Sequence, residues 1–294
     1  MVTMAITADS LVRACALAES VRVHEPGVPV ALITMRGADI PSGSFFDETL
    51  WIDPPEPFSG NARYLNKLVH PFRMTPYRRT LFLDDDTLVI RPFLPVLREH
   101  FYGRSVAINC FEQLPGDPCP GINFVRADAT ARLTGRRRID NLYGGGHYYF
   151  ETGPPVDEVL DLALDVAVNR PDDYAAVACP GQHQIADEVA FLYAVNTLHL
   201  DMPHLPDFVD ALSLKRASQI RLSVRQSRYE WPNRPWGTRI EDVRIVHFAS
   251  RGKRALPYQQ EIHRLTGLRQ SFDQGLPGAA RRSRHRARAL LGLR

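Results

Sequence analysis

The sequence predicts an α/β fold built on a largely parallel sheet. The first 34 residues read as strand, helix, strand, and short apolar runs then alternate with stretches of helical apolar spacing along the rest of the chain. No internal repeat or linker divides it. With 294 residues, 44% of them hydrophobic and 23% charged, the composition is that of a globular domain, and the bulk of the chain is too apolar for intrinsic disorder.

Residues 2–7 form an apolar run that ends at Thr7-Ala8-Asp9. Leu11, Ala14, Cys15, Ala18 and Val21 then recur at helical spacing, with Asp9 or Ser10 as the expected cap. Pro26-Gly27-Val28 interrupts the pattern, and residues 29–34 give a second buried strand. Ligands of such βαβ units lie beyond the carboxyl ends of the strands, which puts Thr7, Ala8 and Asp9 at a binding edge. Residues 41–59, rich in Pro, Gly, Ser and aromatics, read as irregular loop, and residues 63–72 as helix. Residues 80–90 (TLFLDDDTLVI) form an apolar strand interrupted by three aspartates. Residues 105–110 and 121–125 are further strand candidates, residues 156–168 and 185–195 have helical spacing, and a late strand at 242–248 runs into Ala249-Ser250-Arg251-Gly252-Lys253.

The charge pattern narrows the function. The net charge is +3, but residues 278–294 hold six arginines and no acid, so removing those six basic residues leaves the rest at −3. An acidic body argues against a nucleic-acid-binding face. The tail, arginines followed by Ala-Leu-Leu, suits peripheral contact with an anionic bilayer. No apolar run approaches the ~20 residues of a membrane span, and the first ten residues lack the pattern of a signal peptide, so a cytoplasmic protein is expected. The four cysteines, Cys15, Cys110, Cys119 and Cys179, have no paired spacing and are expected as reduced thiols. Only three lysines, Lys67, Lys215 and Lys253, stand among 36 basic residues, an arginine bias that fits a GC-rich bacterial genome. A chain this rich in arginine keeps lysine where a compact ammonium is wanted.

Asp84-Asp85-Asp86 is the most informative feature. Three adjacent carboxylates at the end of an apolar strand repel one another and are costly to bury, and a divalent cation removes that cost. Alternate side chains of an extended segment share a face, so Asp84 and Asp86 converge on one ion while Asp85 points elsewhere. Hard oxygen ligands favour Mg²⁺ or Mn²⁺. One enzyme class with such a motif, the haloacid-dehalogenase-type phosphatases, has it near the N-terminus and followed by Thr or Val at the fifth position, where this sequence has Leu88.

The better match is a set of segments in order: residues 4–20 (MAITADSLVRACALAES), Asn66-Lys67-Leu68, Pro76-Tyr77-Arg78-Arg79-Thr80 leading into Asp84–Asp86, Gly144-Gly145-Gly146-His147-Tyr148-Tyr149-Phe150, Asp187-Glu188, and Val246-His247-Phe248 with Lys253. Over residues 2–255 this order resembles the retaining GT-A glycosyltransferases of family 8, the glycogenin and lipopolysaccharide galactosyltransferase group. It departs at the C-terminal His-x-Gly-x-x-Lys segment, which here is one residue longer with its glycine shifted, and at the residue before the glycines, where the family's Asn is missing.

The resemblance implies a GT-A fold over residues 1–277, a single Rossmann-like mixed sheet flanked by helices, with residues 278–294 as the tail. It implies a metal-dependent transfer of a hexose from a nucleotide-diphospho-sugar donor, a UDP-sugar, to a glycan, a glycolipid or other lipid-linked acceptor, or a small acceptor, with retention. Asp84, Asp86 and His247 would ligate Mn²⁺ or Mg²⁺. Thr7, Ala8, Asp9, Lys67, Asp85, Gly145, Gly146 and Lys253 would hold the donor. Asp187 or Glu188 would face the reacting carbon, where a carboxylate stabilises or attacks an oxocarbenium-like centre. Family 8 favours Asp187, and the blood-group transferases favour Glu188. His147, Tyr148 and Tyr149 either stack on a sugar or alternate in a half-buried strand. A catalytically silent sugar-nucleotide-binding or scaffold protein is the alternative from another class.

Overall fold

Thr7, rather than Asp9 or Ser10, starts the first helix. The Ser10 backbone N–H donates to Thr7 Oγ1 at 3.2 Å and the Thr7 N–H to Ser10 Oγ at 2.7 Å, a reciprocal capping box that only the three-residue spacing reveals. The computed structural model describes residues 1–53, 58–143, 145–205, 208–212, 214–231 and 242–268; Gly144 and the expected tail at 278–294 lie outside these.

The chain runs β1 (Val2–Met4), α1 (Ala8–His24), β2 (Ala31–Met35), β3 (Glu48–Ile52), α2 (Asn66–Met74), β4 (Arg79–Leu83), β5 (Thr87–Val89) and α3 (Leu94–His100). It continues with β6 (Val106–Ala107), β7 (Cys110–Gln113), α4 (Ala127–Thr134), β8 (Ile139–Leu142), β9 (His147–Glu151), α5 (Pro154–Leu164), α6 (Pro171–Val177) and α7 (Asp187–Thr197). The last elements are β10 (Val209–Ala211), α8 (Leu214–Ala217), β11 (Arg221–Ser223), β12 (Arg228–Glu230), β13 (Ile245–His247) and α9 (Leu256–Thr266).

The expected mixed central sheet is present, with strand order β3-β2-β1-β4-β9-β6. β1 to β4 are parallel, and β9 is antiparallel to both β4 and β6. Side chains alternate across β9: Tyr148 and Phe150 enter the core under α2, α5 and α7, whereas Tyr149 packs on the opposite face with Leu81, Leu83 and Phe101. A second sheet, β10-β13-β5, stands beside the first, and α1 and α9 pack together over it.

The expected single strand at 80–90 is two strands in different sheets. β4 belongs to the central sheet and β5 pairs antiparallel with β13, so the three aspartates form the turn at which the chain crosses between sheets. Adjacent like charges oppose continued strand pairing, and that is where the strand breaks. Residues 105–110 divide in the same way between β6 and the start of β7. Residues 121–125 form no strand beyond one bridge between Val125 and Ala178.

Two expectations fail outright. β3 lies within 41–59, taken as irregular; it is an edge strand with Glu48 and Trp51 exposed, so its sequence lacks a buried pattern, and five backbone pairings to β2 supply the order. Cys119 and Cys179 are joined in a disulfide rather than reduced. Their separation of 60 residues conceals the pairing, which is created when the 121–125 segment runs beside the end of α6 and the Cys179 N–H donates to the Phe124 carbonyl at 3.1 Å. Cys15 and Cys110 are buried free thiols.

Candidate active site

The carboxyl ends of β1 and β4 leave the central sheet side by side, because Val2 pairs with Phe82 in parallel register. Residues 7–9 and 84–86 therefore share one edge, as the βαβ reading requires. The 84–86 turn is fastened on all sides. The Asp84 N–H donates to the Gly146 carbonyl at 2.8 Å, Thr87 Oγ1 donates to the Asp84 carbonyl at 2.7 Å, and the Phe248 N–H donates to the Asp86 carbonyl at 2.9 Å.

This scaffold turns Asp84 and Asp86 to one side, and β13 brings His247 against them through its pairing with Thr87. All three are buried, and one ligand atom from each lies within 4.8 Å of the others. Asp85 turns away, as alternation predicts, into a salt bridge with Arg13 of α1, whose Nε and Nη2 lie 2.7 and 2.6 Å from Oδ2. Arg13 was missed from sequence. Its signal was available: an arginine on the apolar stripe of a helix, next to Leu11, Ala14 and Cys15, requires a buried acid.

Lys67 Nζ lies 2.7 Å from Asp84 Oδ2, Lys253 Nζ lies 3.5 Å from Asp86 Oδ2, and His247 Nε2 lies 3.2 Å from Asp86 Oδ1. Burial works against charge on Asp86, but His247, Lys253 and Lys67 overcome it and hold the carboxyl well below its usual range. Burial likewise depresses His247, and Asp86 with Asp84 outweighs it, so the imidazole is raised. For Asp85 burial prevails over Arg13 and pushes the carboxyl up to about 6.

Asp187 and Glu188 open the first turn of α7 and are buried, at 4% and 7% exposure, yet line the same cavity as the aspartates. Burial followed by the Asp187 charge raises Glu188 far above a normal carboxyl, and burial raises Asp187 against the pull of Lys67. Tyr148 donates from its hydroxyl to Asp187 Oδ2 at 2.8 Å. Stacking of β9 side chains on a sugar does not occur, since His147, Tyr148 and Tyr149 are at most 1% exposed.

The glycines serve by being small. A Cβ on Gly145 would lie 2.6 Å from Glu188 Oε1, and one on Gly146, which has φ +83°, would lie 3.0 Å from the His247 ring. Asp84, Asp86, Lys67, Asp187, Glu188, His247 and Lys253 all line one cavity of about 450 Å³. Its far wall, unpredicted from sequence, is Ile122, Asn123 and the 181–184 segment, joined behind by the disulfide. Thr7, Ala8 and Asp9 stand at the same sheet edge but outside the lining of this cavity, Thr7 being occupied as the helix cap.

Two buried carboxylates and an imidazole are a donor set for a divalent cation. His247 Nδ1, buried and without a hydrogen-bond partner among the described residues, shows that the ring is placed by packing and by the acids. Among the described residues no helix is long and apolar enough to cross a membrane.

No protein-family model and no curated protein matches the sequence. Solved structures do. The galactosyltransferase LgtC in complex with donor and acceptor sugar analogs is similar over 95% of this chain and 98% of its own, with 14% identity and a TM-score of 0.54. An active-site mutant of LgtC gives the same coverage and TM-score at 13% identity. The bifunctional glycosyltransferase WbbM, solved in the apo form, is similar over 85% of this chain and 45% of its own, with 11% identity and a TM-score of 0.51. The chain therefore has the GT-A fold of these glycosyltransferases.

Proposed function

We propose that this protein is a metal-dependent, retaining glycosyltransferase that moves a hexose from a nucleotide-diphospho-sugar, a UDP-sugar, to a glycan, glycolipid or small acceptor. The observation that carries this is one cavity holding both halves of the chemistry: a cation site at Asp84, Asp86 and His247, and the Asp187-Glu188 carboxyl pair. The similarity to LgtC, a galactosyltransferase crystallised with donor and acceptor sugar analogs, supports the same reading.

Transfer leaves a diphosphate that gains negative charge while the anomeric carbon becomes oxocarbenium-like. A bound divalent cation would supply Lewis-acid stabilisation of that diphosphate. Lys67 and Lys253, which lie against Asp84 and Asp86, would add point charges on the same side. The ionised member of the Asp187-Glu188 pair stabilises or attacks the cationic carbon. Asp187 is assigned that role, because the Tyr148 hydroxyl donates to it, whereas burial and the Asp187 charge raise Glu188 far above a normal carboxyl. Gly145 leaves the space in which Glu188 stands. Asp85, paired with Arg13, serves the donor by fixing the turn rather than by direct contact. Peripheral membrane contact through residues 278–294 and a lipid-linked acceptor belong to the same proposal.

The phosphatase alternative gains nothing from the structural matches, which are to glycosyltransferases. A thermal-shift panel of UDP-, GDP- and TDP-sugars with and without Mn²⁺ tests the proposal. Stabilisation should require nucleotide and metal together, reach roughly 5–10 °C at a hundred times Kd, and vanish in Asp86→Ala. No metal-linked shift with any of these sugars would sink the reading. Stabilisation without any UDP release would leave the silent binding protein in its place.

A further inference from the structure

We propose that Tyr148 is a positioning residue of this site, its hydroxyl fixing the Asp187 carboxylate toward the cavity. The proposal rests on the functional reading above and adds to it a group that does not itself line the cavity.

Tyr148 is held from both ends. Its ring lies within β9, in register with Phe82, and is enclosed by Phe82 at 5.9 Å, Phe191 at 4.9 Å and Phe72 at 6.3 Å between centroids. No side of the ring meets solvent, and its exposure is 0%. The strand and three rings therefore place the hydroxyl with little freedom, 2.8 Å from Asp187 Oδ2. Burial and the Asp187 charge drive the phenol far above its usual range, so it remains a donor.

Asp187 needs such a fixture. It opens α7, whose N-cap residue is Ala186 and has no side chain to satisfy the first N–H groups of the helix. The free N–H groups of that first turn attract the carboxylate toward the helix end. The Tyr148 hydroxyl, arriving from the sheet, opposes that pull. Tyr174 serves the backbone beside it in the same way, its hydroxyl accepting from the Ala186 N–H at 2.7 Å. Two phenols from separate elements thus fix the start of α7, one by accepting from the chain and one by donating to the reacting carboxylate.

A purely packing role makes a different prediction, because Tyr148→Phe keeps every ring contact and deletes one oxygen. Tyr149→Phe is the matched control: its hydroxyl donates to Glu151 Oε1 at 2.6 Å on the opposite face of the sheet, away from the site. The assay is Mn²⁺-dependent UDP release from whichever UDP-sugar of the panel gives the largest shift. Tyr148→Phe should lower kcat about ten- to a hundredfold while the KM for that sugar stays within about twofold and the Mn²⁺-dependent thermal shift persists. Tyr149→Phe should lower Tm and leave kcat unchanged. Equal kcat in Tyr148→Phe and wild type, or a rise in KM alone, overturns the positioning role and leaves the glycosyltransferase reading intact. Absence of UDP release and of any thermal shift in the wild-type protein removes that reading and this proposal together. Should Tyr148→Phe not fold, 4-fluorophenylalanine at position 148 fills the space of the hydroxyl without donating a hydrogen bond. An unaltered kcat there also overturns the proposal.

Discussion

Gly146 couples two parts of the site through one missing methyl group. Its carbonyl accepts from the Asp84 N–H, its φ of +83° lies in the left-handed region, and its Cα faces the His247 ring at a distance that a Cβ would reduce to 3.0 Å. An alanine there must adopt a strained backbone, at a cost of about 1–3 kcal/mol, and also push the imidazole. Gly146→Ala should therefore lower Tm by roughly 2–8 °C and weaken Mn²⁺ binding more than tenfold, read by metal titration of the thermal shift. Gly145→Ala should behave differently. Its Cβ would meet the end of the flexible Glu188 side chain, so Mn²⁺ binding should persist while turnover falls. Equal metal affinity in Gly146→Ala and wild type would show that the glycine makes a turn and nothing more.

At the scale of elements, the disulfide and the crossover turn at 84–86 shape the cavity. Cys119–Cys179 closes a loop of 60 residues and ties the segment carrying Ile122 and Asn123 to the one carrying Gly181–Gln184. Chain-entropy arguments give such a closure up to about 4 kcal/mol. Cys119→Ser should lower Tm by several degrees, and reduction of the wild type with dithiothreitol should match it; identical melting of reduced and oxidised protein would exclude the tie as a stabiliser. What sequence made legible follows the same physics. Asp84 and Asp86 could be grouped because strand alternation and ligand chemistry are local rules, and the opening βαβ unit because apolar spacing is local too, whereas His247, more than 160 residues further on, joined them only through the family resemblance. The disulfide, the Arg13–Asp85 pair and the Tyr148–Asp187 bond join residues 39 to 72 positions apart, and no local pattern encodes such distances. β3 was hidden for another reason: an edge strand with exposed Glu48 and Trp51 has no buried face to advertise it.

Across the whole molecule, the site is where the two sheets meet. Asp84 ends a strand of the central sheet, Asp86 precedes β5, His247 lies in β13 of the second sheet, and Asp187 and Glu188 come from a helix on the first. A ligand that grips all of them joins segments more than 160 residues apart in the chain and opposes every opening that separates the sheets. Amide hydrogen exchange reads this directly. With Mn²⁺ and UDP together at a hundred times Kd, amides of residues 84–88, 187–190 and 245–253 should all slow, by up to about a hundredfold where exchange proceeds through openings that release the ligand. The β11–β12 hairpin packs on α9 and has no residue lining the cavity, so its exchange should not change. Neither Mn²⁺ nor UDP alone should reproduce the effect, and Asp86→Ala should abolish it. Protection confined to residues 1–35, without the second-sheet strand carrying His247, would mean that the nucleotide binds at the end of β1 alone and that the cation does not bridge the sheets.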